Sequence, residues 1–274
     1  MQVDMTIAKI NGIDTAYHTQ GNGLPLLLIH GTGVPASTWP ARWIERLAQR
    51  RTVVTYDYRG TGSTPSTPEP FTTRDLAADV IGILDHLGFT TADVLGHSMG
   101  GRVAQWVALD RPELVRKLVL DSTGPGEFGG EFTVTRGVPL QVAVEIAEMG
   151  IIEHFKHEMR EVGFSSADKQ GYEEFTQAFE ANATSAGDYI RLTYARQLHQ
   201  TTELLENIKQ PTLVLVGELE TTNGGTGSHV DQARHLASAI PNAESKLLPG
   251  LAHFHFWEAP DETADLILDW LGDE

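Results

Sequence analysis

Gly96-His97-Ser98-Met99-Gly100-Gly101 joins two different kinds of sequence. Ahead of it, Thr91-Ala92-Asp93-Val94-Leu95 is a short, largely apolar and partly β-branched run, which reads as a buried strand. Behind it, Met99 to Leu109 places apolar residues at helical spacing. A serine with glycines two residues before and two after, between a strand and a helix, matches the G-x-S-x-G turn. The spacing has a physical origin. The turn is so tight that the serine takes a strained backbone conformation, and the glycines leave room where strand and helix approach. Ser98 Oγ would then stand free at the strand end, and the Met99 amide, at a helix N-terminus, would point at any developing oxyanion. The five residues alone fit a solvated serine in a glycine-rich turn equally well, so the rest of the chain decides.

Working outward, the flanking segments alternate. Met5–Ile10 and Ile13–His18 alternate around Asn11-Gly12, the signature of a tight hairpin. Leu24–Ile29 is a continuous apolar run, as expected of a strand covered on both faces, and it ends in His30-Gly31-Thr32-Gly33. A helix is expected over Ser37–Gln49, then a strand over Arg51–Tyr56 ending in Asp57-Tyr58-Arg59-Gly60-Thr61-Gly62-Ser63. Thr73–Leu87 reads as a helix stopped by Gly88, and Val115–Asp121 as a further strand. This rhythm of strand and helix predicts an α/β fold with a mostly parallel sheet flanked by helices. It breaks after Asp121. From there to about Asn207 only helical patterns occur: Leu140–Met149, Ile152–Val162, Tyr172–Thr184 and Tyr189–Leu205. Strands resume at Pro211–Gly217 and Ser245–Leu248, with a glycine-rich loop at 223–227 and helices at Val230–Ile240 and Asp261–Leu271. The reading is therefore a core of residues 1–126 and 208–274, with residues 127–207 inserted as a helical cap over the ends of the strands, where open α/β sheets bind ligands.

Composition bounds the chemistry. The 274 residues contain no cysteine, which excludes disulfides, thiolate nucleophiles and Cys-based metal sites. Lys and Arg number 20 against 37 Asp and Glu, a net charge of −17 that disfavours nucleic acid and anionic membranes as partners. No apolar stretch reaches the ~18 residues of a membrane span. Met1–Ile10 lacks the charge and apolar pattern of a secretory leader, so the expected location is cytoplasmic. No motif calls for a cofactor or a metal, and a homo-oligomer is left open.

Five motifs in order resemble the α/β-hydrolase superfamily: Ile29–Gly33, Asp57–Ser63, Gly96–Gly101, Leu215–Glu220, and Leu248–His253 with Glu258-Ala259-Pro260 after it. The resemblance spans about 24–126 and 208–272 and implies the α/β-hydrolase fold with an inserted cap. A serine hydroxyl needs a base during attack, and the resemblance gives that role to His253, in the loop after the last strand. The acid expected to orient His253 is Glu220, where the superfamily usually has an aspartate. Asp121 is the rival, with Asp231 and Glu218 behind it. The oxyanion donors expected are the amides of Met99 and Thr32, with Gly33 next after Thr32 for the second. His97 and Asp57–Gly60 read as packing and bracing groups, His255 as directed elsewhere, and His30 as a prop for the oxyanion loop. Trp39, Trp106 and Trp257 read as core or cap contacts. Phe128, Phe132, Phe155, Phe164, Phe175 and Phe179, with Tyr172, Tyr189 and Tyr194, divide between packing inside the cap and an apolar lining for an acyl or ring group.

The activity expected is cleavage of a small apolar carboxylic ester or lactone by a serine hydrolase through an acyl-enzyme. The alternatives are C–C cleavage of meta-cleavage products or β-diketones on the same triad, and a non-catalytic receptor on the same scaffold. A perhydrolase side activity is compatible. A serine rather than an aspartate at the elbow argues against dehalogenase and epoxide-hydrolase chemistry. Arg191 and Arg196 could each meet a substrate carboxylate but read first as surface charge, and the acidic residues of the cap mildly disfavour strongly anionic substrates.

Overall fold

The computed structural model describes residues 5–127, 138–221 and 228–273. The glycine-rich loop at 223–227, with Phe128 and Phe132 of the anticipated lining, lies outside the described residues. Among the described residues eight strands form one sheet: β1 (Thr6–Ile10), β2 (Ile13–Gln20), β3 (Pro25–Ile29), β4 (Thr52–Tyr56), β5 (Ala92–His97), β6 (Val115–Asp121), β7 (Thr212–Gly217) and β8 (Ala243–Leu248). Their spatial order is β1-β2-β4-β3-β5-β6-β7-β8. The hairpin β1–β2 and the pair β2–β4 are antiparallel, and every other pairing is parallel. β3 and β5 are buried along their whole length, as continuous apolar runs in a doubly covered sheet require.

Among the described residues ten α-helices accompany the strands: α1 (Ala41–Leu47), α2 (Thr73–His86), α3 (Met99–Asp110), α4 (Val138–Met149), α5 (Ile151–Glu158), α6 (Lys169–Ala181), α7 (Ala186–Gln197), α8 (His229–Ala239), α9 (His255–Glu258) and α10 (Pro260–Leu271). One face of the sheet packs against α2, α3 and α8 through Leu76, Val80, Val103, Val107 and Leu236. The other packs against α1 and α10 through Trp43, Leu47, Ile267 and Leu271. Between β6 and β7 every described element is helical, and the aromatic side chains Phe155, Phe175, Phe179 and Tyr189 join the second cluster. None of the helices is long and apolar enough to cross a membrane among the described residues.

Two boundaries differ from the sequence reading, for local reasons. The helix expected over 37–49 begins at Ala41, because Pro40 fixes the cap position in an extended conformation; Ala36–Thr38 is a separate short turn. The last helix expected between the strands ends at Gln197 rather than Leu205. His199, buried, bonds Thr73 Oγ1 at 2.8 Å, and the Thr201 amide donates to Pro125 O at 2.8 Å, which turns the chain back onto the core. Elsewhere local signals hold. Thr72 forms a reciprocal capping box with Asp75 at the start of α2, and Gly88 takes φ +72 just beyond its end.

Candidate active site

The segments after β3, β5, β6, β7 and β8 converge on one cavity. β5 ends at His97, and the chain turns through Ser98 at φ 55, ψ −119 directly into α3. That conformation costs on the order of 1–3 kcal/mol for a non-glycine residue and is held by its surroundings. The Ser98 amide donates to Asp121 O at 2.8 Å, and Thr123 Oγ1 donates to Ser98 O at 2.6 Å. The glycines are sterically required: a Cβ on Gly96 would enter the Gly100 carbonyl, and one on Gly100 would enter Ile29 O.

Beside the elbow, the loop after β3 carries Gly31, Thr32 and Val34 to the cavity wall. His30 braces this loop. Its Nδ1 accepts the Gly31 amide at 2.8 Å, its Nε2 meets Thr38 Oγ1 at 3.0 Å, and its ring stacks on Trp39 at 3.9 Å. Tyr58 donates to His30 O at 2.9 Å, while the Asp57 carboxylate accepts the amides of Ala36 and Ser63, both at 2.8 Å. Trp257 donates to Thr38 O at 3.1 Å, and Arg74 lies over the Trp106 ring, so neither of those tryptophans lines the cavity.

The two candidate acids face different histidines and share one neighbour, Ser122 Oγ, which lies 3.3 Å from Asp121 Oδ1. Glu220, at the end of β7, is buried, and its Oε2 stands 2.6 Å from His253 Nδ1. The same oxygen is 2.9 Å from His229 Nδ1, while Oε1 accepts Ser122 Oγ at 2.6 Å and the Gly217 amide at 2.8 Å. Burial opposes its charge, yet His253 and His229 outweigh burial and hold the carboxyl well below its ordinary range. Asp121, also buried, faces His97 Nδ1 at 3.0 Å and His255 Nε2 at 2.7 Å. Burial resists ionisation here too, and His255 and His97 reverse it. The His97 imidazole is pushed down to about 4, first by burial and then by His253. Of the remaining carboxylates considered, Asp231 pairs with Arg234 and Glu218 accepts the Gly250 amide at 2.8 Å.

The loop carrying His253 is fixed by Glu258, whose Oε2 accepts the Ala252 amide at 2.7 Å and whose Oε1 accepts the Ser165 amide at 2.8 Å. Phe254 extends the tie: its amide donates to Gly163 O at 2.9 Å, and its ring packs on Phe175 and Phe164. The helices between β6 and β7 are thereby anchored to the loop that presents His253. They also supply Phe155, Glu158, Met159, Tyr189 and Arg196 to the cavity, whose volume is about 70 Å³.

Ser98, Met99, Thr32, Glu220 and His253 thus line one cavity, and Asp121 does not. Sequence reasoning left out Ser122, His229 and Arg102. Ser122 follows the β6 strand directly, but nothing in its sequence announces the positive φ of 49 that turns its hydroxyl to Glu220. His229 follows the Ser228 cap of α8 and Arg102 sits one turn into α3; neither position carries a motif.

A profile of the alpha/beta hydrolase family matches residues 26–266. A soluble epoxide hydrolase from Corynebacterium sp. (strain C12) is 38% identical over 125 residues, 43% of this chain and 41% of that protein, so this similarity spans less than half of the relative's own length. A 2-hydroxymuconate semialdehyde hydrolase from Pseudomonas putida is 26% identical over 96% of this chain and 92% of its own. Among solved structures, the enol-lactonase from Burkholderia xenovorans LB400 superposes with a TM-score of 0.82 at 24% identity, covering 97% of this chain and 99% of that one, a shared fold.

Proposed function

The chain belongs to the alpha/beta hydrolase family, and we propose on that footing that it is a serine hydrolase cleaving a small carboxylic ester or lactone through an acyl-enzyme. The observation that carries the reading is His253 Nδ1 held 2.6 Å from the buried Glu220 carboxylate, on the wall of the cavity that also exposes Ser98. In this reading Glu220 fixes the tautomer with the proton on Nδ1, leaving Nε2 to accept a proton. His253 takes the Ser98 proton as Oγ attacks the carbonyl carbon. The tetrahedral oxyanion rests on the amides of Met99 and Thr32. His253 then returns the proton to the leaving alkoxide, and the acyl group stays on Ser98 Oγ. Water, activated by the same imidazole, releases the acid and restores the serine. The helices at 138–207 act as the cap, with Phe155, Met159 and Phe254 against the apolar part of the substrate.

Ser98→Ala tests this. It should abolish turnover of p-nitrophenyl acetate and labelling by a fluorophosphonate probe while circular dichroism stays unchanged. Activity retained in full by the variant would overturn the reading. One observation favours a second reading. The similarity to the Pseudomonas putida 2-hydroxymuconate semialdehyde hydrolase runs over nearly both whole chains. C–C hydrolysis of a dienoic ring-fission compound by the same residues is therefore tested beside the esters, and the larger kcat/KM decides.

A further inference from the structure

Two guanidinium groups face the cavity beside Ser98. Arg102, one turn into α3, is 5% exposed, and Arg196 comes from the last turn of α7; both line the wall that includes Ser98, Met99 and Thr32. Their own contacts leave charge uncompensated. Arg102 Nη1 donates to the Arg196 backbone carbonyl at 2.6 Å, and Arg196 Nη1 reaches Thr32 Oγ1 at 3.3 Å. Arg196 Nε is buried with no hydrogen-bond partner. Among the described residues no carboxylate lies within ion-pair distance of either group. The carboxylates on the same wall are engaged elsewhere: Glu158 accepts the Tyr189 hydroxyl at 2.7 Å, and Glu220 holds its two histidines. Burial, with Arg196 adding repulsion, lowers Arg102 to about 9, which leaves it charged at neutral pH.

Buried cations are ordinarily paired, because an unpaired one forfeits its hydration without return. Two neighbouring guanidinium groups with no counter-ion among the described residues, at the wall where a substrate must sit, are explained by a ligand that brings the anion. Resting on the serine-hydrolase reading above, we propose that Arg102 and Arg196 seat a carboxylate carried by the substrate: a half-ester of a dicarboxylic acid, or a lactone bearing a carboxylate. The guanidinium fork matches a carboxylate in plane and number of donors. The reacting carbonyl then points to Ser98 and Met99, with the linking carbons against Phe155 and Val34.

The test separates binding from turnover. The monomethyl esters of succinic, glutaric and adipic acids are each paired with a neutral methyl ester of matched chain length. Calorimetry on Ser98→Ala protein should show at least one half-ester binding about tenfold or more tighter than its neutral partner. Adding Arg196→Gln or Arg102→Gln should reduce that ratio to about one, and Arg196→Lys should recover part of it. In the enzyme with Ser98 intact, the same ratio should appear in kcat/KM. Equal binding of every pair would overturn the seat, even if neutral esters are hydrolysed and the serine-hydrolase reading stands. A binding preference that depends on the arginines, in a protein that turns over neither ester nor labels with a fluorophosphonate, would keep the seat and overturn the hydrolase reading.

Discussion

Glu220 collects four donors: two imidazoles, a hydroxyl and an amide. The extra methylene of glutamate carries the carboxylate from the end of β7 to that meeting point. If Glu220 orients His253, Glu220→Gln should lower kcat by about four orders of magnitude on p-nitrophenyl acetate, because the amide forces the wrong tautomer. Asp121→Asn should act differently. It leaves His255 facing a neutral amide in a buried site, so it should lower stability by about 3–5 kcal/mol in urea unfolding while sparing most of kcat in the folded fraction. The reverse pattern would move the acid to Asp121. At this scale a motif pins a position in the sequence, as at Ser98 and His253, and the structure brings those two residues to one cavity wall. The sequence preferred Glu220 to Asp121 on position along the chain alone, without access to which imidazole each carboxylate faces. It missed His229, whose approach to Glu220 depends on where α8 begins.

The strand-to-helix turn at β5–α3 is built without slack. Gly96 and Gly100 face backbone atoms that cannot move aside, since the carbonyls concerned belong to the turn itself and to β3. Gly100→Ala should cost about 3 kcal/mol or more in urea unfolding, whereas Gly88→Ala, with open space around its Cβ and only the positive φ to resist it, should cost about 1 kcal/mol. Equal effects would mean that the close approach is not what restricts position 100. Elements were the most legible level. Runs such as Val115–Asp121 coincide with the strand because apolar continuity and strand length coincide there. The misread ends, at Pro40 and after Gln197, are places where a proline ring or a long-range hydrogen bond overrides periodicity.

At the scale of the whole molecule, the buried histidines set the response to acid. His30, His97, His199 and His229 are all held below the ordinary 6.5, burial being the largest cause in each. His255 is raised: burial opposes its charge, but Asp121 overcomes that. A group held low takes up a proton in the unfolded chain before the folded one, so it withdraws stability as pH falls below 6.5; His97 does so down to about 4. A raised group does the opposite, with stability present below 6.5 and lost as pH climbs through its folded value. Four groups against one predict a urea midpoint lower at about pH 5 than at about pH 7, and Glu220 and Asp121, both depressed, extend the loss further down. An unchanged midpoint would show that these imidazoles titrate alike in both states.

α1 and α10 lie side by side, and the arginines of α1 and of the turn after it meet the aspartates of α10 and of the residues just beyond it: Arg42 to Asp261, Arg46 to Asp265, and Arg50 to Asp269 and Asp273. Each rung is exposed and worth little by itself. The partners, however, are separated by about 219 residues of chain. During synthesis α1 leaves the ribosome with Trp43 and Leu47 uncovered, and it waits while some two hundred further residues are made before the helix that shields them exists. Throughout that interval the growing polypeptide displays a greasy flank edged with positive charge. α10, negative on its matching edge, therefore works as a fastener that closes only after the long stretch between the two helices has been made.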